Sequence, residues 1–511
     1  MSENGSVDTV DTATETEELL RHPISHQERS AYRPADFNEC VDRISSYFDE
    51  FAQSAESWRL KNRGYHSEIE RLYRYHVPEG SSVLEVGCGT GELLASLKPS
   101  RGLGIDLSEK MIAQAREKFP KYTFVHSAFE AHEVTNQKFD YIVISDTLSF
   151  VYDILALFKA LKPYCHSRTR IIINIHSRLW QPVLSFAEVL GLKYRKPVLN
   201  WVTTEDVTNL LDLAGFETIS TDSRMLLPAR IPLLSRFLNS AISPFFPFKF
   251  LCLTNWVVAR LPADPIKSDA ALKPTVTIVC PCRNEAGNIP RIVERLPLLG
   301  SHTELIFVEG HSKDDTLAAC HKAKADNPHL DISVYQQTGK GKKDAVWLGF
   351  QHAKGDILMI LDADITVTPE ELPAFYEAIA SGRAEFVNGC RLVYPMEGKA
   401  MRFLNLLANK FFSFTFSALI SQNVKDTLCG TKVMLKSDYL RLVAGQSYFG
   451  EFDPFGDFDL LFGAAKLSLK IVDLPIRYRA RTYGETQISR FRHGWMLLKM
   501  CAYGLLRLRM R

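Results

Sequence analysis

In the stretch LMILDADITVTPEEL, Leu358 to Leu372, an apolar run ends in two carboxylates, Asp362 and Asp364, with one alanine between them. The run fits a central strand of a parallel sheet, covered on both faces, and strand alternation sends both carboxylates to one side. Two like charges so close need water, a cation or a set of donors to stay ionised. At the C-terminal edge of a strand they lie where open α/β sheets bind ligands. The chemistry such a pair suits is a hard divalent cation bridging to phosphates. For a D-x-D alone the alternative is a solvated loop after the strand, so its neighbours must decide.

Three more candidate strand ends carry polar groups before it. PCRNE (Pro281 to Glu285) follows one apolar strand, EGHSKDDT (Glu309 to Thr316) the next, and GKKDAVWLGF (Gly341 to Phe350) opens the helix that leads to the D-x-D strand. A second constellation lies far upstream. In VLEVGCGTGELL, Gly87, Gly89 and Gly91 alternate between a strand and a helix, Glu85 precedes them, and Asp106 ends the following strand. A dinucleotide fingerprint needs its third glycine at position 92, where Glu92 stands. A glycine turn of this kind still admits a ligand close to the backbone, and an acid placed like Asp106 can accept from both hydroxyls of a ribose. His176, just beyond the strand RIIINIHS, is a candidate proton acceptor; a hydrogen-bonded loop histidine is the bland alternative.

The upstream motifs resemble those of the class I S-adenosylmethionine-dependent methyltransferases over roughly Tyr47 to Leu261. The resemblance implies that the Gly87 to Gly91 turn and Glu85 cradle the methionine part of S-adenosylmethionine and that Asp106 holds its ribose. Where many relatives place an acid after the third strand, VHSAFE has Ser127 and Ala128.

The downstream order of motifs resembles the nucleotide-sugar glycosyltransferases of the GT-A fold, near the inverting family that contains dolichol-phosphate mannose synthases. The resemblance implies Mg²⁺ or Mn²⁺ on Asp362 and Asp364, neutralising a nucleoside diphosphate leaving group. It also implies that Pro281, Asn284, Glu285, Glu309 and Lys342 surround the nucleotide sugar, with Glu309 and Gly310 in place of the usual two aspartates. VNGCRL, DTLCGTK and RYRARTYGETQIS are similar to later motifs of that family. They make Arg391 and Arg402 candidate acceptor-phosphate forks. FDPFGDFDLLFGAAK brings Asp457 and Asp459 near the acceptor as candidate general bases.

Positioning two such sites requires two α/β units. The chain of 511 residues is long enough for two or three domains, with 46% hydrophobic and 23% charged residues, an ordinary globular balance. Two series of strands alternating with helices predict two doubly wound, mostly parallel sheets. The expected organisation is an acidic disordered tail over 1–39, a methyltransferase domain over 40–262, a linker over 263–271, a GT-A domain over 272–489 and a basic amphipathic helix over 490–511.

The net charge of +2 names no partner, and no nucleic acid is expected. Ten cysteines without paired spacing suggest a reduced, cytoplasmic compartment. No run is long enough to span a bilayer. The insert RIPLLSRFLNSAISPFFPFKF has cations and no acid and either lies on a membrane or covers the first pocket. The tail RFRHGWMLLKMCAYGLLRLRMR reads as an interfacial helix, or as a core helix with snorkelling arginines.

The expected function is inverting sugar transfer to a polyprenyl phosphate at the cytoplasmic membrane face, with a fused methyltransferase. The alternative is transfer to a hydroxyl of a glycan or lipid beside a non-catalytic methyltransferase-like scaffold.

Overall fold

The structure is a computed structural model that describes residues 37–129, 137–192, 194, 200–228, 231, 233–263, 273–394, 403–445, 456–479, 481, 483 and 490–509. Two seven-stranded sheets follow one another along the chain. The first comprises β1 (Ser82–Val86), β2 (Arg101–Asp106), β3 (Thr123–His126), β4 (Tyr141–Ser145), β5 (Arg170–His176), β6 (Glu217–Arg224) and β7 (Thr254–Arg260). The second comprises β8 (Val276–Cys282), β9 (Thr303–Glu309), β10 (Asp331–Gln336), β11 (Ile357–Ile360), β12 (Phe386–Cys390), β13 (Lys432–Leu435) and β14 (Ile471–Pro475).

The apolar runs are explained by burial on both faces. Ile171 and Ile173 of β5 belong to one core and Ile172 between them to the other. In β11, Ile357 and Met359 face one core of the second sheet and Leu358 and Ile360 the other. Helices cover both sides, so side chains of both parities must be apolar.

The strand order is β3-β2-β1-β4-β5-β7-β6 in the first sheet and β10-β9-β8-β11-β13-β12-β14 in the second. In each, the chain winds outward from its first strand to one edge, then returns to the other side. The crevices between β1 and β4 and between β8 and β11 are therefore topological switch points, where α/β sheets bind ligands.

Neither sheet is wholly parallel. β7 runs antiparallel to β5 and β6, and β13 antiparallel to β11 and β12. β6, β12, β13 and β14 were not legible as strands. ETISTDSR of β6 is a polar edge strand, and VNGCRL, noted only as a motif, supplies most of β12.

The D-x-D also departs from expectation. β11 ends at Ile360, so Asp362 and Asp364 lie in the turn beyond it, where Ile365 takes a φ of 53°.

The two units pack through the starts of their strands. Arg170, first in β5, donates from Nη2 to both oxygens of Glu385 (2.7 and 2.8 Å) and from Nε to the Ser468 carbonyl (2.8 Å). Arg260 Nη1 lies 3.0 Å from the same carboxylate, and its Nε reaches Glu217, which also pairs with Lys470.

The C-terminal helix Arg490–Gly504 and the turn Leu505–Arg509 pack one side on the protein and leave Trp495, Leu498 and Leu506 exposed on the other. Leu497, Met500 and Leu508 join the second core, and buried Arg509 reaches Asp222 of the first unit at 2.6 Å. Among the described residues no helix is long and apolar enough to cross a membrane. All ten cysteines are free thiols.

Candidate active sites

At the β1–β4 crevice, Gly87, Gly89 and Gly91 all take positive φ (74°, 52° and 81°), which only glycine adopts readily. A Cβ at Gly87 would lie 2.3 Å from Thr147 Oγ1, and one at Gly91 2.8 Å from the Phe124 ring. At Gly89 it would meet nothing within 4 Å, because that residue faces a cavity of about 670 Å³. This volume suits a ligand of cofactor size.

Asp106 accepts from Gly89 N at 2.8 Å and from Ser108 N at 3.0 Å, so it braces the glycine turn while lining the same cavity. Glu85 is buried, and its Oε2 has no hydrogen-bond partner among the described residues. Burial, reinforced by the Glu92 and Asp106 charges, pushes its carboxyl well above the ordinary range. Ser127 lines the cavity as well.

Opposite the turn is a polar network in which only His176 was expected. Asp146, which follows β4 with a φ of 54°, accepts from Tyr65 Oη at 2.5 Å and from Asn174 Nδ2 at 2.6 Å. Its Oδ1 stands 3.4 Å from His176 Nδ1, and the His176 ring stacks on Tyr65 with centroids 5.6 Å apart. Tyr73 Oη closes the network on Asn174 Oδ1 at 2.7 Å. The carboxylate beside Nδ1 orients the imidazole, which lines the cavity. Asp146 had one sequence signal, an acid directly after the apolar strand YIVIS beside β1. Phe48, Phe51, Trp58 and Tyr194 give the outer part of the cavity an aromatic wall.

At the β8–β11 crevice, carboxylates and cations alternate. Lys342 Nζ is 2.7 Å from Asp362 Oδ1 and 3.8 Å from Asp457 Oδ1. Burial would raise the Asp362 carboxyl, but Lys342, Lys432 and Arg391 outweigh it and hold it below its usual range. Asp364 accepts from Arg481 Nη2 at 2.5 Å and from Thr366 N and Oγ1, and Arg481 Nη1 lies 3.6 Å from Glu285. A Cβ at Gly430 would meet Asp362 Oδ2 at 2.0 Å, so the turn bearing Gly430 must pass bare against that carboxylate.

The remaining expected residues divide. Pro281 sits in β8 opposite Val308. Asn284, at a φ of 56°, receives Lys313 N on its side chain. Glu309 spends one oxygen on Ser312 N and the other on Gln336 Nε2, so it ties its own loop together. Asp459 pairs with Lys343 at 2.6 Å, and burial raises its carboxyl despite that lysine. Asp457 shares the Lys342 cation with Asp362.

Arg391, expected at the acceptor phosphate, is paired within the protein. Its Nε and Nη2 grip buried Asp426 at 2.6 and 2.8 Å, and its backbone N donates to the same carboxylate. Two of the three guanidinium nitrogens that would fork a phosphate are thus committed. Arg402 lies outside the described residues. Among the described residues no group of three or more His, Cys, Asp or Glu converges on a metal position.

Comparison with known proteins assigns the two units. Residues 57–221 match the family model described as a methyltransferase domain, and residues 277–442 match glycosyl transferase family 2. The chain is 26% identical over 220 residues to the undecaprenyl-phosphate 4-deoxy-4-formamido-L-arabinose transferase of Pectobacterium carotovorum, covering 42% of this chain and 62% of that protein. It is 27% identical over 238 residues to the dolichol-phosphate mannosyltransferase of Pyrococcus furiosus, covering 44% and 64%. The match thus spans less than two thirds of either relative. Among solved structures, a SAM-dependent methyltransferase from Thermotoga maritima aligns at 17% identity and a TM-score of 0.34, over 42% of this chain and 99% of that one. The chain joins a methyltransferase domain to a glycosyl transferase family 2 domain.

Proposed function

We propose that the chain is a bifunctional enzyme, a sugar transferase that uses a nucleotide sugar and a divalent metal, fused to an active S-adenosylmethionine-dependent methyltransferase. The observation that carries the first half is the Asp457–Lys342–Asp362 and Glu285–Arg481–Asp364 charge alternation at one sheet edge.

The residues present fit Mg²⁺ or Mn²⁺. Two hard carboxylates stand together with cations already compensating them, and such ions are held by one or two carboxylates plus substrate phosphates, not by an all-protein cage. Asp362 and Asp364 would hold the metal, which supplies positive charge to the departing diphosphate. Lys342 and Arg481 are then placed to exchange their carboxylates for phosphate oxygens, Arg481 through two prongs. Pro281, Asn284 and Glu285 shape the nucleoside side, and Glu309 holds the loop that lines it.

The acceptor we favour is a polyprenyl phosphate, as in the names of the two relatives, with the enzyme peripheral on a membrane. A phosphate is already ionised and needs no base. The grip of Asp426 on Arg391 favours a second reading, a hydroxyl acceptor deprotonated by Asp457. Mass spectrometry of lipid extracts incubated with a panel of nucleotide sugars separates them, since a polyprenyl phosphosugar appears only under the first.

The first domain fits S-adenosylmethionine, on the evidence of the orphaned Glu85 Oε2 and the open cradle at Gly89. Glu85, the Gly87 to Gly91 turn and Asp106 would hold it, and it supplies an electrophilic methyl group. The chain's own part is to orient the acceptor against the aromatic wall, to exclude water and to take a proton on His176 Nε2. Asp146 steadies the imidazolium that forms. Titration calorimetry with S-adenosylmethionine tests this half: millimolar ligand without heat leaves only a scaffold.

A further inference from the structure

The cavity of the first domain opens beside a surface that folding leaves uncovered. Helix Gln181–Val189 has no buried residue. It turns Leu184 and Ala187 into the cavity, while Val183 and Phe186 on its other side are 54% and 64% exposed. An element apolar on both sides is stable in water only if something covers the outer one. Next to it, the insert after β6 contributes Pro228 to the cavity and exposes Phe237, Phe246 and Phe250 at 51%, 71% and 61%.

The same surface continues onto the second domain. The Phe245 ring lies 6.3 Å from that of Phe414 on helix Phe403–Ile420, where Phe411 and Phe414 are themselves more than half exposed. From the inner side of that helix, Asn409 Nδ2 donates to Asp426, the carboxylate that grips Arg391. The apolar strip therefore runs from the mouth of the first cavity to the acceptor side of the second site.

Apart from Glu188 on helix Gln181–Val189, its charge has one sign. Residues 233–253 and 407–420 contain no Asp or Glu, and Arg236, Lys249 and Lys410 are spread among them. A broad apolar face set with cations suits the interface of a bilayer with anionic headgroups. A second copy of the same chain would instead bring like charges together.

We propose that this strip rests on an anionic lipid surface and that the methyltransferase cavity takes its acceptor from that surface, a lipid-borne hydroxyl or amine entering between helix Gln181–Val189 and the insert. The new bond joins the methyl carbon to the acceptor atom as the carbon–sulfur bond breaks; the acceptor's proton goes to His176 and S-adenosylhomocysteine leaves. The chemical step rests on the methyltransferase reading above, whereas the docking surface stands without it.

The test is flotation of the full chain with phosphatidylcholine vesicles, with and without phosphatidylglycerol, alongside transfer of labelled methyl into the organic extract of vesicles carrying cellular lipid. The wild-type chain should float only with the anionic vesicles and be released at about 1 M salt, where charges are screened beyond about 3 Å. Phe237→Asp/Phe250→Asp should lose flotation and lipid methylation at least about tenfold with S-adenosylmethionine binding unchanged. Leu298→Asp, exposed just before β9, should keep all three.

A wild-type chain that stays at the bottom of the gradient, or a double variant that floats and methylates normally, overturns the proposal. So does a double variant that turns a dimer into a monomer by light scattering when neither protein binds vesicles. Flotation lost in the double variant, with no lipid methylated by either protein although S-adenosylmethionine binds, overturns the lipid acceptor and leaves the surface. Failure to bind S-adenosylmethionine at all marks the underlying methyltransferase reading as the fault.

Discussion

Asp146 joins three roles in one side chain. It holds a backbone conformation that non-glycine residues seldom adopt, receives two neutral donors and faces His176. Asp146→Asn keeps the shape and removes the charge behind the imidazole. Methyl transfer should then fall by about 10²–10⁴ in kcat, with S-adenosylmethionine affinity unchanged by calorimetry; a kcat within twofold of wild type removes Asp146 from the mechanism. Asp106→Ala should do the reverse and weaken S-adenosylmethionine binding by about 1–3 kcal/mol, because a charge-assisted contact and the brace on Gly89 go together. At this scale the sequence was readable for groups adjacent in a motif, such as Glu85, the three glycines, Asp106 and the D-x-D. It was not readable for Asp146 with Tyr65, or Asp364 with Arg481, because those partners are far apart in the chain and only the fold joins them.

The elements explain why these partners meet. Asn284, His311 and Ile365 take φ between 53° and 57° just past the ends of β8, β9 and β11, and Ile365 is β-branched, for which this region is strained. Such residues turn the chain sharply at the edge where the second site forms, and the buried packing of Ile365 holds it there. Strands buried on both faces announced themselves as unbroken apolar runs. The polar edge strand β6 and the short strands β12 to β14 did not, since edge position and mixed direction erase that signal. The terminal helix shows a related limit: its interleaved arginines read equally as interfacial or as part of a core helix, and only the fold shows Arg509 as a buried ligand of Asp222. Its inner neighbours Phe416, Phe458 and Phe462 stack at 5.1 and 5.3 Å. Phe416→Ala should therefore cost about 3–5 kcal/mol in urea unfolding, whereas the exposed Phe411→Ala should cost little.

On the scale of the whole molecule, the two sites lie at strand C-termini, whereas the polar contact between the units centres on Glu385, just before β12, with Arg170, Arg260, Glu217 and Lys470, and extends to Arg509 on Asp222. Each site is thus formed without the other's residues. Glu385→Ala leaves Arg170 and Arg260 buried without their shared carboxylate and should destabilise the chain by about 3–5 kcal/mol. The contact should also weaken in acid. Burial, with Lys466 and Arg224 nearby, lowers His76 to about 3, so between its ordinary value and that point the unfolded chain binds a proton that the fold excludes. Asp222 adds a loss lower down: burial would raise it, but Arg224 and Arg509 hold it at about 2. Stability should therefore fall as pH drops below about 6.5, and His76→Gln should flatten the upper part of that decline in urea midpoints measured from pH 7.5 to 4. The central claim, two independent chemistries in one chain, is tested most directly by assaying both transfers in wild type, Asp364→Ala and Asp146→Asn. The account predicts that Asp364→Ala abolishes metal-dependent sugar transfer and leaves methyl transfer intact, and that Asp146→Asn does the opposite. Loss of both activities in either variant, or full metal-dependent sugar transfer by Asp364→Ala, would contradict it.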